Sequence, residues 1–233
     1  MSEKNSAGNG FVGVKNKERT LAERNRAFVA GQVTTNLEYN YSGEKDRFYR
    51  IIIKTEMRRG IEDYITVIIP EELLFDKNPV KGKWAKVKGQ FRSFKRIGTS
   101  SRVERFVFAK DIIFYEDASE MGKSNENYVF VEGYVSTKYE LGYVRGEYPV
   151  SNFDIAVHRN YDKIDYIHCS GWHENALDMD AMKVGDHVRI YGSIRSRKRF
   201  VRYVHDVKDA TAGEWITQHS IAVRTILKID EEE

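Results

Sequence analysis

Two stretches decide the fold: KGKWAKVKGQFRSFKR (81–96) and VGDHVRIYGSIRSRKR (184–199). They share Gly-x-x-Arg-Ser-x-Lys-Arg, a combination that strand geometry alone does not demand. Outward from them the same order and spacing repeat. AFVAGQV (27–33) matches VFVEGYV (129–135), with Gly31 over Gly133, and EDYI (62–65) matches IDYI (164–167) at the same offset of 102 residues. AKDII (109–113) aligns with VRTIL (223–227), after an extra loop of roughly fifteen residues in the second copy. Such self-similarity marks an internal duplication, one structural unit used twice.

Each unit reads as β structure. Pro is scarce, and FVAGQV (28–33), RFYRIIIKTE (47–56), EDYITVII (62–69), WAKVKGQFRSF (84–94) and RFVFAKDIIFY (105–115) are dense in β-branched and aromatic residues with period-2 alternation. Between the third and fourth runs, PEELLFD (70–76) predicts a short helix with its Pro at the start, where the missing N–H costs nothing. Five strands with a helix after the third is the layout of an OB-fold, a small, partly open barrel. The expected fold class is therefore all-β with short helices, two tandem five-stranded OB-fold barrels. The expected boundaries are a flexible polar arm over 1–25, barrels over 26–115 and 127–229, an acidic linker over 116–126 and a short acidic tail over 230–233.

Composition narrows the function. The chain has 233 residues, 41% of them hydrophobic and 31% charged, enough to bury a core. Its one cysteine, Cys169, allows no internal disulfide and no thiolate metal cluster. No apolar run approaches the roughly 18–20 residues of a membrane span, and MSEKNSAGNG at the N-terminus lacks an apolar signal core. The expectation is a soluble, cytoplasmic protein without a membrane partner. The net charge is only +3, but it is unevenly placed: residues 26–115 carry 18 Lys/Arg against 11 Asp/Glu, whereas residues 116–126 sum to −3 and the last four residues to −4. Base in the folded parts and acid in the connectors bias the folded surfaces toward anionic partners.

Strand alternation then assigns faces. Phe153, Ile155 and Val157 point inward, so Asn152, Asp154, Ala156 and His158 point outward; by the same logic Ile51 and Ile53 are core, and Arg50, Ile52 and Lys54 are surface. In the third strand Ile65, Val67, Ile69, Ile167 and Cys169 face inward, leaving Tyr64, Tyr166 and Trp172 outside as candidate platforms. The fourth strand and its hairpin are the most basic region: residues 81–105 hold nine Lys/Arg and one acid. Here Trp84, Lys88, Arg92, Phe94, Lys95 and Arg96 interleave cations with rings, as Arg195, Arg197, Lys198, Arg199, Phe200 and Arg202 do in the second copy. Single-stranded nucleic acid needs that mixture, because cations follow phosphates and ring faces stack on unpaired bases.

The residues now resemble the bacterial single-stranded DNA-binding (SSB) family. The resemblance is carried by the Gly-hydrophobic-Val opening strand, SNFDIAVHR (151–159), DYIHCSGWHENA (165–176) and VGDHVRIYGSIRSRK (184–198), and it covers about 190 residues across both repeats. It implies a sequence-independent binder that coats and protects single-stranded DNA in replication, recombination or repair. Two OB-folds per subunit resemble the minority of family members that assemble as dimers, which implies a homodimer here. By position, Tyr64 and Tyr166 take the place of a base-stacking Trp, and Trp172 falls where the family has a second stacking aromatic. Its counterpart in the first copy is Pro70, so that stack is expected to be missing there. After Arg-Ser-x-Lys, where the family commonly has an aromatic, both copies have Arg (Arg96, Arg199), and stacking passes to Phe94 and Phe200. The family's acidic tail ends in Asp-Ile-Pro-Phe and docks replication and repair proteins; this chain ends Ile229-Asp230-Glu231-Glu232-Glu233, which leaves recruitment through such a tip in doubt.

Enzymatic readings are weaker. His168 and His173 lie across a strand end and need not converge on a metal. Cys169 alternates onto the core face as an inert thiol, and Gly8-Asn9-Gly10 has no preceding strand to make a phosphate loop. No catalytic set recurs in both copies, so the expectation is a non-enzyme with no metal or cofactor. Two other classes remain open: an OB-fold adaptor acting through protein partners, and an RNA binder.

Overall fold

Strand runs rich in Val, Ile, Tyr and Phe become twelve strands, with two short α-helices and one 3-10 turn, in a computed structural model that describes residues 20, 23–42, 46–57, 60–75, 81–96, 102–122, 126–160, 162–202 and 213–229. The expected tail over 230–233 and the expected arm over 1–25, apart from Thr20 and residues 23–25, lie outside the described residues. The first half contains β1 (Asn25–Val33), β2 (Glu38–Ser42), β3 (Arg47–Glu56), β4 (Glu62–Pro70), β5 (Trp84–Arg96) and β6 (Arg102–Tyr115). The second contains β7 (Glu126–Lys138), β8 (Gly142–Val144), β9 (Tyr148–Arg159), β10 (Lys163–Trp172), β11 (His187–Arg202) and β12 (Gly213–Lys228). Helix α1 (Ala118–Met121) connects the halves, and α2 (Glu174–Ala181) follows β10. In place of a helix over 70–76, the first half has only a 3-10 turn, Glu71–Leu74, whose side chains include none that is fully buried.

Each half closes into a five-stranded ring. In the first, β1 pairs with β3 and β5, β3 with β4, β5 with β6, and β4 with β6 in parallel. In the second, β7, β9, β10, β12 and β11 repeat the circuit, with β10–β12 parallel. The parallel pairs Val67↔Val107 and Cys169↔Ile221 occupy equivalent places, which fixes the alignment of AKDII with VRTIL. This is the fold expected, two tandem OB-fold barrels. Closure needs β1 to bend from β5 onto β3, and Gly31 sits at the bend: a Cβ there would run into the Lys54 carbonyl oxygen, as one on Gly133 would run into that of Ala156.

Ile51, Ile53, Ile65, Val67, Ile69 and Phe91 fill one barrel, and Phe153, Ile155, Ile167, Ile190 and Ile194 the other, each fully buried as strand alternation requires. Cys169 is likewise at 0% exposure, and burial pushes its thiol well above the usual range. The insertion in the second copy is not a loop throughout. β11 and β12 continue their pairing out to Arg202↔Gly213, so the described part of it is a two-stranded arm.

The halves join edge to edge. β1 pairs antiparallel with β7 in the register Asn25↔Val131 to Ala30↔Glu126. Ala27 lies opposite Val129, its own equivalent, so the register maps onto itself when the halves are exchanged. A local two-fold axis therefore passes through this pair, and β6-β5-β1-β7-β11-β12 form one continuous sheet across it.

Candidate nucleic-acid interface

On the outer face of the first barrel, the antiparallel register of β3 and β4 sets Lys54 beside Tyr64, Ile52 beside Thr66, Arg50 beside Ile68 and Phe48 beside Pro70. Tyr64 is exposed, and its hydroxyl donates to Glu62 Oε2 at 2.7 Å, while Lys54 Nζ meets Glu62 Oε1 at 3.2 Å. The Glu62 hydrogen bond raises both the Tyr64 phenol and the Lys54 ammonium above their ordinary values. Arg50 pairs with Glu38 on β2 at 2.5 Å. These pairs are solvent-exposed, so a phosphate can displace the carboxylates at little cost. Trp84 and Gln32 continue the Lys54–Tyr64 row round the barrel through the pairs Gln32↔Trp84 and Gln32↔Lys54.

Around Pro70, where the first copy lacks the ring of the second, the neighbouring strands bring other rings together. Phe48 stacks on Tyr41 of β2 with centroids 4.6 Å apart, Tyr41 lies 6.5 Å from Phe94 with ring planes within 12° of each other, and Phe48 meets Phe108 at 5.9 Å. Phe94 is 56% exposed and Tyr41 42%. Tyr41 escaped the reading of the sequence because EYNYS is too short and polar to announce a strand, and Phe48, in the expected strand 47–56, gains its ring partner only from that strand.

The second outer face is built from the same positions with different chemistry. Tyr166 and Trp172 are both exposed, beside Ala156 and Val150. Between them His168 Nδ1 meets Asp154 Oδ1 at 2.8 Å, and the Tyr139 hydroxyl donates to Asp154 Oδ2 at 3.1 Å. Burial alone would push the Asp154 carboxyl up, but the His168 bond, with Arg105 and Tyr139, holds it below the usual carboxylate range. His168 is thus committed to a carboxylate; among the described residues no group of three or more His, Cys, Asp or Glu converges as metal ligands would. His158 is exposed, its ring 6.3 Å from that of Tyr134.

The Arg-Ser motif does something local reading did not assign. Ser93 N–H donates to Asp165 Oδ1 at 2.7 Å, and Tyr166 N–H donates to Ser93 Oγ at 2.8 Å. Reciprocally, Ser196 N–H donates to Asp63 Oδ1 at 2.7 Å and Tyr64 N–H to Ser196 Oγ at 2.8 Å. Each arm therefore caps the strand edge of the other half, where β4 and β10 have run beyond their parallel partners. Arg105 Nε donates to the Tyr166 carbonyl at 2.9 Å, and His219, which sits opposite Ser196 as Arg105 sits opposite Ser93, holds the Tyr64 carbonyl at 3.0 Å.

The arginines of the motif divide accordingly. Arg195 Nε lies 3.0 Å from the buried Asp63 Oδ2. Arg92 instead sits over the Phe108 ring at 4.0 Å and donates to Gln90 Oε1, because Arg159 already occupies Asp165 at 3.7 Å. Lys88 lies on the continuous six-stranded sheet next to Phe28, away from the outer faces. Phe94, Lys95, Arg197, Lys198, Arg199 and Phe200 are exposed along the arms; the side chains of Arg96 and Arg202 lie outside the described residues. Trp215, which the sequence reading left in a loop, stands opposite Phe200 on the second arm, 70% exposed.

Residues 126–211 match the model of the single-strand binding protein family. That is a family of binding proteins and not of enzymes, in agreement with the reading of the sequence. No curated protein matches the chain by sequence. Among solved structures, wild-type single-stranded DNA binding protein from Thermus aquaticus is similar with a TM-score of 0.67 and 16% identity, over 90% of this chain and 94% of that one. A deletion mutant of the same Thermus aquaticus protein is similar with a TM-score of 0.67 and 17% identity, over 90% of this chain and 96% of that one. The resemblance seen in the sequence thus rests on the family match for the second half, and the fold of both halves together on the structural likeness.

Proposed function

We propose that a chain whose second half carries the single-strand binding family pattern, and whose first half repeats it, binds single-stranded DNA without regard to sequence. The observation that carries this reading is the pair of outer faces with exposed rings, Tyr64 with Tyr41 and Phe94 on one and Tyr166 with Trp172 on the other, each bordered by a cationic arm. Stacking on a ring is worth roughly 1–3 kcal/mol per base and is blind to base identity, and each phosphate contact adds about 0.7 to the logarithmic salt slope on a single strand. The protein coats strands in replication, recombination or repair, and the fold carries no helix among the described residues long and apolar enough to cross a membrane.

A homodimer is part of the same reading. The continuous sheet presents Phe28, Tyr128, Tyr191, Ile113 and Leu227 around the local two-fold axis, with Phe28 stacked on Tyr128 at 5.2 Å. An exposed apolar patch centred on a two-fold axis suits a second copy. Light scattering should return twice the chain mass, and a monomer mass would defeat this part alone.

The deciding experiment is intrinsic fluorescence titrated with oligo(dT), oligo(rU) and a mixed-sequence duplex at two salt concentrations. Quenching by oligo(dT) that weakens with salt, with little response to duplex, is the expected result. Equal response to duplex would sink the reading, and preference for oligo(rU) would replace DNA by RNA.

A further inference from the structure

Large rings on a strand surface are solvated at a cost unless something covers them. Trp215 is the most exposed indole whose surroundings are described, and its position is unusual: it stands on the β11–β12 arm, paired across the ladder with Phe200, ring centroids 5.5 Å apart at 61°. Exposed Arg197, Lys198 and Arg199 lie on the same short length of arm.

Register fixes the side on which this ring pair stands. Phe200 and Trp215 share a side with Lys198 and Thr217 and, two residues further in, with Ser196 and His219. Ser196 and His219 are the residues that grip Tyr64. Four residues of strand span roughly 13 Å, so the Phe200–Trp215 pair lies about that far along the arm from Tyr64, on the side turned to the first half.

We infer that Phe200 and Trp215 form a stacking finger for an unpaired base, and that this finger extends the track of the first barrel's face rather than that of its own barrel. The inference rests on the single-strand reading above and names a further part of that site. The occupant is a base because Lys198 shares the side of the ring pair while Glu214 lies on the opposite side with Arg197 and Arg199, so the cationic side of the ring pair suits a polyanionic strand. The second arm, through its Ser196 and His219 contacts, thus serves the half to which it is capped.

The three tryptophans, Trp84, Trp172 and Trp215, allow a clean test in the full chain. Three variants each keep one indole and carry Trp→Phe at the other two. Oligo(dT) should quench the Trp215-only and the Trp172-only proteins, and the duplex neither. If Trp172 responds and Trp215 does not, the finger is wrong while the single-strand reading stands; if neither responds, both fall. In the otherwise intact chain, Trp215→Ala should weaken oligo(dT) binding by about 5- to 150-fold with an unchanged salt slope. Tyr64→Ala combined with Trp215→Ala should be non-additive on an oligonucleotide filling one track, whereas Tyr166→Ala with Trp215→Ala should be additive. A fall in melting temperature or in the light-scattering mass for Trp215→Ala would instead give the ring a structural or protein-contact role and overturn the proposal.

Discussion

Arg92 and Arg195 are equivalent residues with different neighbours, and the difference traces to one position. Where Arg159 stands beside Asp165, the matching residue beside Asp63 is Met57, whose sulfur contacts Arg195 Nη1. With no competing cation, Arg195 settles on Asp63. Replacing Asp63 by Asn should therefore cost about 2–3 kcal/mol in urea unfolding, since a partly buried guanidinium loses its counter-charge. Asp165→Asn should cost less, because burial already pushes the Asp165 carboxyl above the usual range and disfavours its charge. His219 adds a pH dependence. Its ring is buried, and Nε2 lies between the Tyr64 carbonyl and the Thr66 N–H. Asp63 and Arg105 both face it, and burial, opposed by the Tyr64 contact, lowers its pKa below the ordinary 6.5. A depressed histidine stabilises the fold fully above its unfolded pKa, and that stability is lost as pH falls below about 6.5. Unfolding free energy measured from pH 7.5 to 5 should fall more steeply for the native chain than for His219→Gln; parallel curves would refute the assignment.

At the scale of elements, the inward and outward faces of β3, β4, β9 and β10 were legible because one buried face forces period-2 alternation. The closing bend of β1 was legible too, as a glycine repeated at the same offset. Gly31→Ala should destabilise by about 1–3 kcal/mol, the cost of forcing β1 away from the Lys54 carbonyl, measured as a shift of the urea midpoint at constant slope. What stayed hidden depends on neighbours that no strand records in its own residues. Ser93 and Ser196 read as members of a basic motif, yet their hydroxyls serve the opposite half. Asn25 and Asn127 share the 102-residue offset, and each amide spans the neighbouring strand's backbone, Asn25 to Phe91 and Asn127 to Ile194, with bonds of 2.7 and 2.8 Å. Trp215 was missed because GEWITQHS alternates polar with partly exposed residues and so lacks a core face to betray it. The arm itself makes a charge prediction: Arg197→Ala with Arg199→Ala should reduce the oligo(dT) salt slope by about 1.4 if both meet phosphates, and a slope unchanged would place them off the DNA.

Across the whole molecule, the halves are bound by a shared strand pair and by four reciprocal side-chain caps, so they should melt as one cooperative unit. Coincident urea transitions for the single-tryptophan variants reporting from Trp84 and Trp172 would show this, and two separated midpoints would contradict it. The self-equivalent register of β1 against β7 carries a longer consequence. Two separate chains joined across such an axis must be self-complementary, because every substitution arrives on both sides at once. Here the copies lie on one backbone, and a substitution arrives on one side only. Arg105 can thus stand where the other half has His219, Arg159 where it has Met57, and Trp172 where it has Pro70, each suited to its own surroundings. Joining the copies end to end released each from having to match itself, and the two faces have become different tools.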